Sequence, residues 1–309
     1  MKICFPTTNR VHLSRQKLLL DELAKDNEVV IADISHVVEN EKGNPMSTIA
    51  AAYAVEFNKY LERTKPDLVI IRGDRYEQLP LAMCCAYRQI PIAHIEGFDL
   101  SGVIDNRVRY AISYLSEFHF VTNDDSYKRA KNMGFKNVWN FGSLDCEYAM
   151  SVDWARTTKK PYLVVLYHPV PNERPEAILE ALEAFKNDYD LIGIKSNHDY
   201  GKQLYSEEFS PDEFIRLLRG AKCLIGNSSA GIKEAGVLGT PVVNIGERQA
   251  NRLRPKNVRD CKCETEDIKN AIEEQLKHGT YPISFLYYKP ETSVKIAETI
   301  YNYLSKTKC

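Results

Sequence analysis

Short apolar runs alternate with longer amphipathic stretches along most of the chain, and this alternation restricts the fold more than any other feature. EVVI at 28–31, DLVII at 67–71 and YLVVLY at 162–167 have the length and composition of buried strands. The stretches at 14–24 and 175–186 place apolar residues at helical spacing. This pattern predicts an α/β fold with parallel sheets, because parallel strands need long crossover connections.

A polar stretch at 153–160 interrupts the alternation, which then restarts. The chain has 309 residues, and at about 100–200 residues per domain this length favours two domains. We place the first domain at 1–152 and the second at 160–290. Two such domains favour a ligand in the cleft between them, at the carboxyl ends of strands.

Charge and composition exclude several classes of protein. The 41 Lys+Arg and 42 Asp+Glu give a net charge of -1, which argues against bulk attraction to nucleic acid or anionic membranes. No apolar run approaches the about 20 residues that a membrane span needs, and no secretory segment follows the first residues. The 8 cysteines lack paired metal spacing, which favours reduced thiols in a cytoplasmic protein.

Carboxylates follow predicted strands in the first half of the chain. Asp74 lies in a Gly-Asp-Arg turn, Glu96 ends the HIEG segment, and Asp105 begins a predicted helix. Their convergence would favour acid–base chemistry, since like charges disfavour ionisation of all three. Structural roles are the alternatives: Asp105 could cap its helix, and Asp74 could pair with Arg75.

The turn GNSSAGI at 226–232 is the strongest local signal in the second half. It joins a predicted strand to a helix, and free N–H groups at a helix start favour an anion. Arg248 and Arg252 could add cations to a diphosphate there, and Glu234 could accept from ribose hydroxyls or simply favour the helix start. The turn lacks the P-loop lysine, and no GxGxxG follows a strand, which disfavours ATPase and NAD chemistry.

Two further polar residues follow predicted strands. Arg10 could contact a phosphate, or it could be an ordinary surface arginine. His168 could donate to a phosphate or carry a proton, or it could be a satisfied loop histidine. Spacing alone leaves both pairs of alternatives open.

Several long motifs occur in one order across both halves, and together they resemble the hydrolysing UDP-N-acetylglucosamine 2-epimerases. The similarity is to the sialic-acid-pathway type, including the epimerase domain of the animal bifunctional enzyme. The motifs are TTNR at 7–10, GDRYE at 73–77, HIEG at 94–97, SGVIDNRVRYAI at 101–112, HPV at 168–170 and IGNSSAGIKEAGVLGTPVVNIGERQ at 225–249.

The resemblance implies a fold and a set of site residues. The fold would be GT-B, with two Rossmann-like doubly wound domains, an interdomain cleft and a last helix, 292–309, that returns to the first domain. Asp74, Glu96 and Asp105 would be the acid–base carboxylates, and His168 would act near the leaving diphosphate. The implied UDP contacts are Arg10, Ser228, Ser229, Gly231, Glu234 and Arg248, and the implied sugar contacts are Asn197, Asp199 and Arg109.

The implied reaction is elimination followed by hydration. A carboxylate removes the C2 proton of a UDP-linked amido sugar as UDP leaves C1, and water then adds with inversion at C2, giving N-acetylmannosamine. The resemblance implies neither a metal nor a redox cofactor, and it implies a homo-oligomer. Phe98-Asp99 departs from it, because the family usually has Gly-Glu there.

Two other functions share this architecture. A glycosyltransferase would pass a sugar from UDP to a polysaccharide or a modified nucleic acid, using an acceptor groove and usually one base. A non-catalytic nucleotide-sugar-binding protein would have lost one or more of the acids. All three carboxylates are present, which favours the epimerase.

Overall fold

The computed structural model describes residues 1–8, 13–37, 43–101, 105–154, 160–170, 173–196 and 204–306. Contacts between Cα atoms divide the chain into two compact units. The first unit comprises Met1–Glu147 and Lys289–Cys309, so it is discontinuous, and the second is Tyr148–Tyr288. Each unit contains a parallel sheet with helices packed on it, which confirms the predicted fold class.

Strands and helices alternate along both units. The strands are β1 Lys2–Thr7, β2 Glu28–Asp33, β3 Leu68–Arg72, β4 Ile92–Ile95, β5 Phe118–Val121, β6 Val138–Asn140, β7 Tyr162–Leu166, β8 Asp190–Gly193, β9 Cys223–Gly226, β10 Val242–Ile245 and β11 Val258–Cys261. The helices are α1 Lys17–Leu23, α2 Met46–Thr64, α3 Gln78–Tyr87, α4 Asp105–Tyr114, α5 Asp124–Asn132, α6 Leu144–Ser151, α7 Glu176–Leu182, α8 Pro211–Gly220, α9 Glu234–Leu238, α10 Thr265–His278 and α11 Thr292–Lys306.

Each described sheet is parallel throughout. The first unit has the strand order β2-β1-β3-β4-β5-β6, and the second has β11-β10-β9-β7-β8. Because all strands of a sheet run the same way, the loops after their carboxyl ends emerge at one edge. The loops after β3 and β4, and those after β7, β9 and β10, carry predicted site residues.

Strand β3 shows why its sequence reads as one continuous apolar run. Leu68 and Ile70 are fully buried in a core cluster that includes residues of α1 and α11, whereas Val69 and Ile71 are buried in a cluster with residues of α2 and α3. A central parallel strand is covered on both faces and cannot alternate polar and apolar residues. Burial of each such side chain stabilises the fold by about 1.5–3 kcal/mol.

The last helix, α11, belongs to the first unit. Its buried residues Ile296, Ile300 and Leu304, each four positions after the one before, lie in the same core cluster as Ile3 and Leu19. This spacing places them on one helical face. No helix in the described ranges is long and apolar enough to cross a bilayer. The cysteines in those ranges are free.

Candidate active site

Asp74 follows β3 after a turn at Gly73, which has φ +80°. Its carboxylate forms an ion pair with the guanidinium of Arg109 in α4, whose side chain is only 2% exposed. Arg75 instead pairs with Glu77, with Nε and Oε1 2.6 Å apart. A cation from a distant helix therefore lies beside Asp74.

Arg109 makes further contacts. Its Nη1 donates to the carbonyl of Asp99 and, over 2.9 Å, to Oδ1 of Asn106. These contacts fix the position of the guanidinium that pairs with Asp74. The contact of Arg109 with the sugar stays a prediction. Asp105 is the first residue of α4 and is half-buried. Residues 102–104 lie outside the described ranges, so its capping role also stays a prediction.

Glu96 follows β4, which pairs with β3 so that Arg72 lies opposite Ile95. Its Oε1 accepts from Arg72, 2.7 Å from Nη2 and 3.2 Å from Nε. The Nη2 atom is also 2.6 Å from Oδ2 of Asp145 in α6. Burial by itself would lower the pKa of Arg72, but the charges of Asp145 and Glu96 outweigh it and raise that pKa. Arg72 therefore stays a cation between two carboxylates.

His94 lies on β4 and connects the elements that carry the carboxylates. Its Nε2 is 2.8 Å from the carbonyl of Gly73, and its Nδ1 is 2.9 Å from the hydroxyl of Ser113 in α4. A carbonyl only accepts, so Nε2 carries the proton and Nδ1 accepts from the hydroxyl. Burial lowers the pKa of His94 to about 4, so the ring is neutral and fixes the turn before Asp74.

The departure Phe98-Asp99 has a structural explanation. Phe98 has φ +63°, a conformation that favours glycine, and its fully buried ring packs in an apolar cluster. The carboxylate of Asp99 is buried and accepts three side-chain hydrogen bonds. The donors are Ser126 at 2.6 Å, Asn123 at 3.0 Å and Thr122 at 3.1 Å. Both residues therefore support the loop after Glu96.

In the second unit, Asn227 holds the loops after three neighbouring strands together. Its side chain accepts from the backbone N–H of His168 over 2.7 Å and donates to the carbonyl of His168 over 2.8 Å. Its own carbonyl accepts from Arg248 at 3.1 Å and from Gln249 at 3.0 Å. Asn227 thus fixes the backbone at His168 and the guanidinium of Arg248 relative to the turn after β9.

The serines of that turn lie at the start of helical structure. Ser228 caps a short 3-10 helix, Ser229–Gly231, and its Oγ accepts from the N–H of Ala230 over 3.3 Å. Both serines are half-buried. Glu234 lies in the first turn of α9 and is 2% exposed. A Cβ on Gly231 would lie 2.9 Å from Cγ1 of Val242, so packing favours glycine there.

Three predicted site residues, Arg10, Asn197 and Asp199, lie outside the described residues. Conversely, sequence reasoning missed Arg72, Asp145 and Asn227. Arg72 and Asn227 each stand beside a glycine at the end of a strand, and that position was the available signal. For Asp145 no local signal exists, because its role depends on Arg72, which is distant in sequence.

We expect Gly226→Ala to lower the free energy of unfolding by about 2–4 kcal/mol. Gly226 has φ +148°, and a Cβ there would lie 1.9 Å from the carbonyl oxygen of Leu166, so the backbone of β7 or β9 must move. Gly279→Ala is the matched control, because Gly279 has φ +76° but open space around it. Urea denaturation measures both losses, and equal losses would show that the close approach to Leu166 does not matter.

Two units with parallel sheets and polar side chains at their strand ends define a protein of the GT-B class. The fold is similar to a solved UDP-GlcNAc 2-epimerase of Methanocaldococcus jannaschii, in complex with UDP-GlcNAc and UDP. The TM-score is 0.80 at 15% sequence identity, over 98% of this chain and 100% of that one. The family model UDP-N-acetylglucosamine 2-epimerase matches residues 11–301. The chain belongs to this family, which confirms the resemblance.

Curated relatives extend the match. A Campylobacter jejuni protein named GDP/UDP-N,N'-diacetylbacillosamine 2-epimerase (hydrolyzing) is 32% identical over 304 residues, covering 85% of this chain and 77% of the relative. A Neisseria meningitidis UDP-N-acetylglucosamine 2-epimerase is 30% identical over 293 residues, covering 84% and 78%. The chain is therefore a member of an enzyme family.

Proposed function

We propose that this protein is a hydrolysing 2-epimerase, which converts a UDP-linked 2-acetamido sugar into UDP and the free sugar inverted at C2. One observation carries the proposal. Asp74 and Glu96 follow the paired strands β3 and β4, and each is held by a mostly buried arginine. Carboxylates fixed in this way suit proton transfer at a substrate carbon better than solvated side chains do.

The reaction proceeds in two steps. One carboxylate of the set Asp74, Glu96 and Asp105 takes the C2 proton, the C2–H electrons form a C1–C2 double bond, and UDP leaves with the C1–O electrons. Water then adds across the double bond, with hydroxyl at C1 and a proton at C2 on the opposite face. With UDP-N-acetylglucosamine the released sugar is N-acetylmannosamine, a precursor suited to sialic-acid synthesis.

Departure of UDP requires neutralisation of the charge that develops on the diphosphate. In the second unit, the guanidinium of Arg248, the hydroxyls of Ser228 and Ser229 and the N–H groups of their turn are the groups suited to this. His168 acts near the leaving phosphate, and Glu234 contacts the ribose. Arg10, Asn197 and Asp199 remain proposed contacts from the resemblance.

The relatives differ in the sugar for which they are named. One relative is named for diacetylbacillosamine linked to GDP or UDP, and another for UDP-N-acetylglucosamine. Both sugars carry an acetamido group at C2, the carbon that is inverted. We propose UDP-N-acetylglucosamine as the substrate, with the diacetylated sugar as the comparison in the same assay. The homo-oligomer also stays a proposal, which light scattering of the purified protein tests.

The decisive experiment is incubation with UDP-N-acetylglucosamine in D2O. We expect UDP and N-acetylmannosamine in equal amounts, with deuterium at C2 of the released sugar, because the new C2 proton comes from solvent. Proton NMR measures both product ratio and deuteration. Two results would contradict the proposal and indicate a glycosyltransferase: release of undeuterated sugar, or transfer of the sugar to an added polysaccharide or nucleic acid. The family match does not favour a glycosyltransferase.

A further inference from the structure

Arg72 lies between two carboxylates that come from different parts of the first unit. Its Nη2 is 2.7 Å from Oε1 of Glu96 and 2.6 Å from Oδ2 of Asp145. The Nη1 atom faces the fully buried carboxamide of Gln16, whose oxygen would accept from it with the amide turned over, the orientation that satisfies both groups. The guanidinium is thus contacted on several sides at once, and its donors lie in a rigid plane that an ammonium lacks.

Asp145 connects this group to another part of the unit. It lies in the first turn of α6, where a negative charge is favoured, and its side chain is 10% exposed. Its Oδ1 is 3.9 Å from Nη1 of Arg15, near the start of α1. Two guanidiniums and two carboxylates therefore form one balanced cluster, which we call the Arg72 cluster: Arg15, Arg72, Glu96 and Asp145.

We propose that Arg72 is a positioning residue for Glu96, and that Asp145 fixes Arg72 for this task. The proposal rests on the proposed function, in which Glu96 acts on the sugar. Glu96 has φ +68°, a conformation that costs a non-glycine residue energy and that persists where the surroundings impose it. Both hydrogen bonds from Arg72 reach the same carboxylate oxygen, Oε1, and fix its position.

Stability alone is a weak explanation for the Arg72 cluster. Removing charges from water is costly, and apolar side chains of similar volume often stabilise a protein as well as a buried ion pair does. Asp74 has its own arginine, Arg109, so the two pairs are organised separately. Accurate placement of a reacting group matters more, since a misplacement of about 1 Å costs about 10²-fold in rate.

The test compares Arg72→Gln and Arg72→Lys with the wild type in the UDP-release assay. We expect kcat per UDP-binding site to fall about 10²-fold in Arg72→Gln, with KM and the Kd for UDP within about threefold. Arg72→Lys should recover part of kcat, because it restores the charge without the fork. Arg88→Gln is the control, since Arg88 forms an exposed pair with Glu62, and its kcat should be unchanged.

A double-mutant cycle with Asp145→Asn separates positioning from independent effects. If Asp145 acts through Arg72, Asp145→Asn lowers kcat less than Arg72→Gln does, and the double variant equals Arg72→Gln. Additive losses, a rise in KM alone, or full activity of Arg72→Gln beside an active wild type would overturn the assignment. A wild type that releases no UDP would instead refute the proposed function and this inference with it.

Discussion

In Asp74→Asn and in Glu96→Gln, we expect kcat for UDP release to fall by about 10³-fold or more, while the Kd for UDP stays within about threefold. Each amide keeps the shape of the side chain but cannot take the C2 proton. Apart from Arg10, the groups proposed to hold UDP lie in the second unit, far in sequence from both substitutions. Steady-state kinetics and calorimetric titration with UDP measure the two effects.

The control for Asp74→Asn is Asp67→Asn. Asp67 stands before the first residue of β3 and accepts the backbone N–H of Lys2 over 2.8 Å, whereas Asp74 follows the other end of the strand. Asp67→Asn should keep its kcat. Asp74→Asn removes the carboxylate that pairs with Arg109, and breaking a buried pair lowers the free energy of unfolding by about 3–5 kcal/mol. Part of that variant can therefore be unfolded, and rates are divided by the number of UDP-binding sites so that only folded protein is counted. Activity within tenfold of wild type in both variants would refute the acid–base assignment.

We also expect the free energy of unfolding to fall as the pH decreases from about 6.5 toward 4, because two histidines are buried as neutral rings. Burial lowers the pKa of His94 from 6.5 to about 4, and burial together with the charge of His94 lowers that of His119 to about 3. The unfolded chain binds protons below pH 6.5 that the folded chain does not. Each histidine therefore contributes a slope of about 1.4 kcal/mol per pH unit in that interval.

Urea denaturation at pH 7, 6 and 5 measures this slope. His94→Gln keeps a donor for the carbonyl of Gly73 and removes the titrating ring, so the slope should decrease by about 1.4 kcal/mol per pH unit. His119→Gln should do the same, and His278→Gln, at an exposed position of α10, should leave the slope unchanged. If His94→Gln and His119→Gln keep the wild-type slope, the acid sensitivity comes from other groups.

The sequence predicted the fold better than the contacts of the site. Central strands such as β3 are covered on both faces and therefore consist mainly of apolar residues. The strand predicted at 67–71 from DLVII differs from the observed strand, Leu68–Arg72, by one residue at each end. Helices α2, α5, α6 and α10 were not predicted, although the buried residues of α2, among them Tyr53, Phe57 and Leu61, recur every four positions. That spacing is the signal of an amphipathic helix.

The partners of the site residues could not be read from spacing. Spacing left a pairing of Asp74 with the neighbouring Arg75 open as one alternative, whereas the structure pairs Asp74 with the buried Arg109. Likewise, Asp145 and Glu96 share Arg72 although they are 49 residues apart in sequence. The strand order decides which loops lie next to one another at the edge of a sheet. No single motif in the sequence predicts the order β2-β1-β3-β4-β5-β6.

The discontinuous first unit has a consequence for biosynthesis. Ile296, Ile300 and Leu304 complete the core cluster that contains Ile3, yet the ribosome makes them only after the whole second unit, Tyr148–Tyr288. While the chain is nascent, the apolar groove that α11 later fills is open to water and to other chains. Synthesis proceeds at about 5–20 residues per second, and domains generally fold while it continues. The second unit therefore has time to fold before α11 completes the core of the first unit.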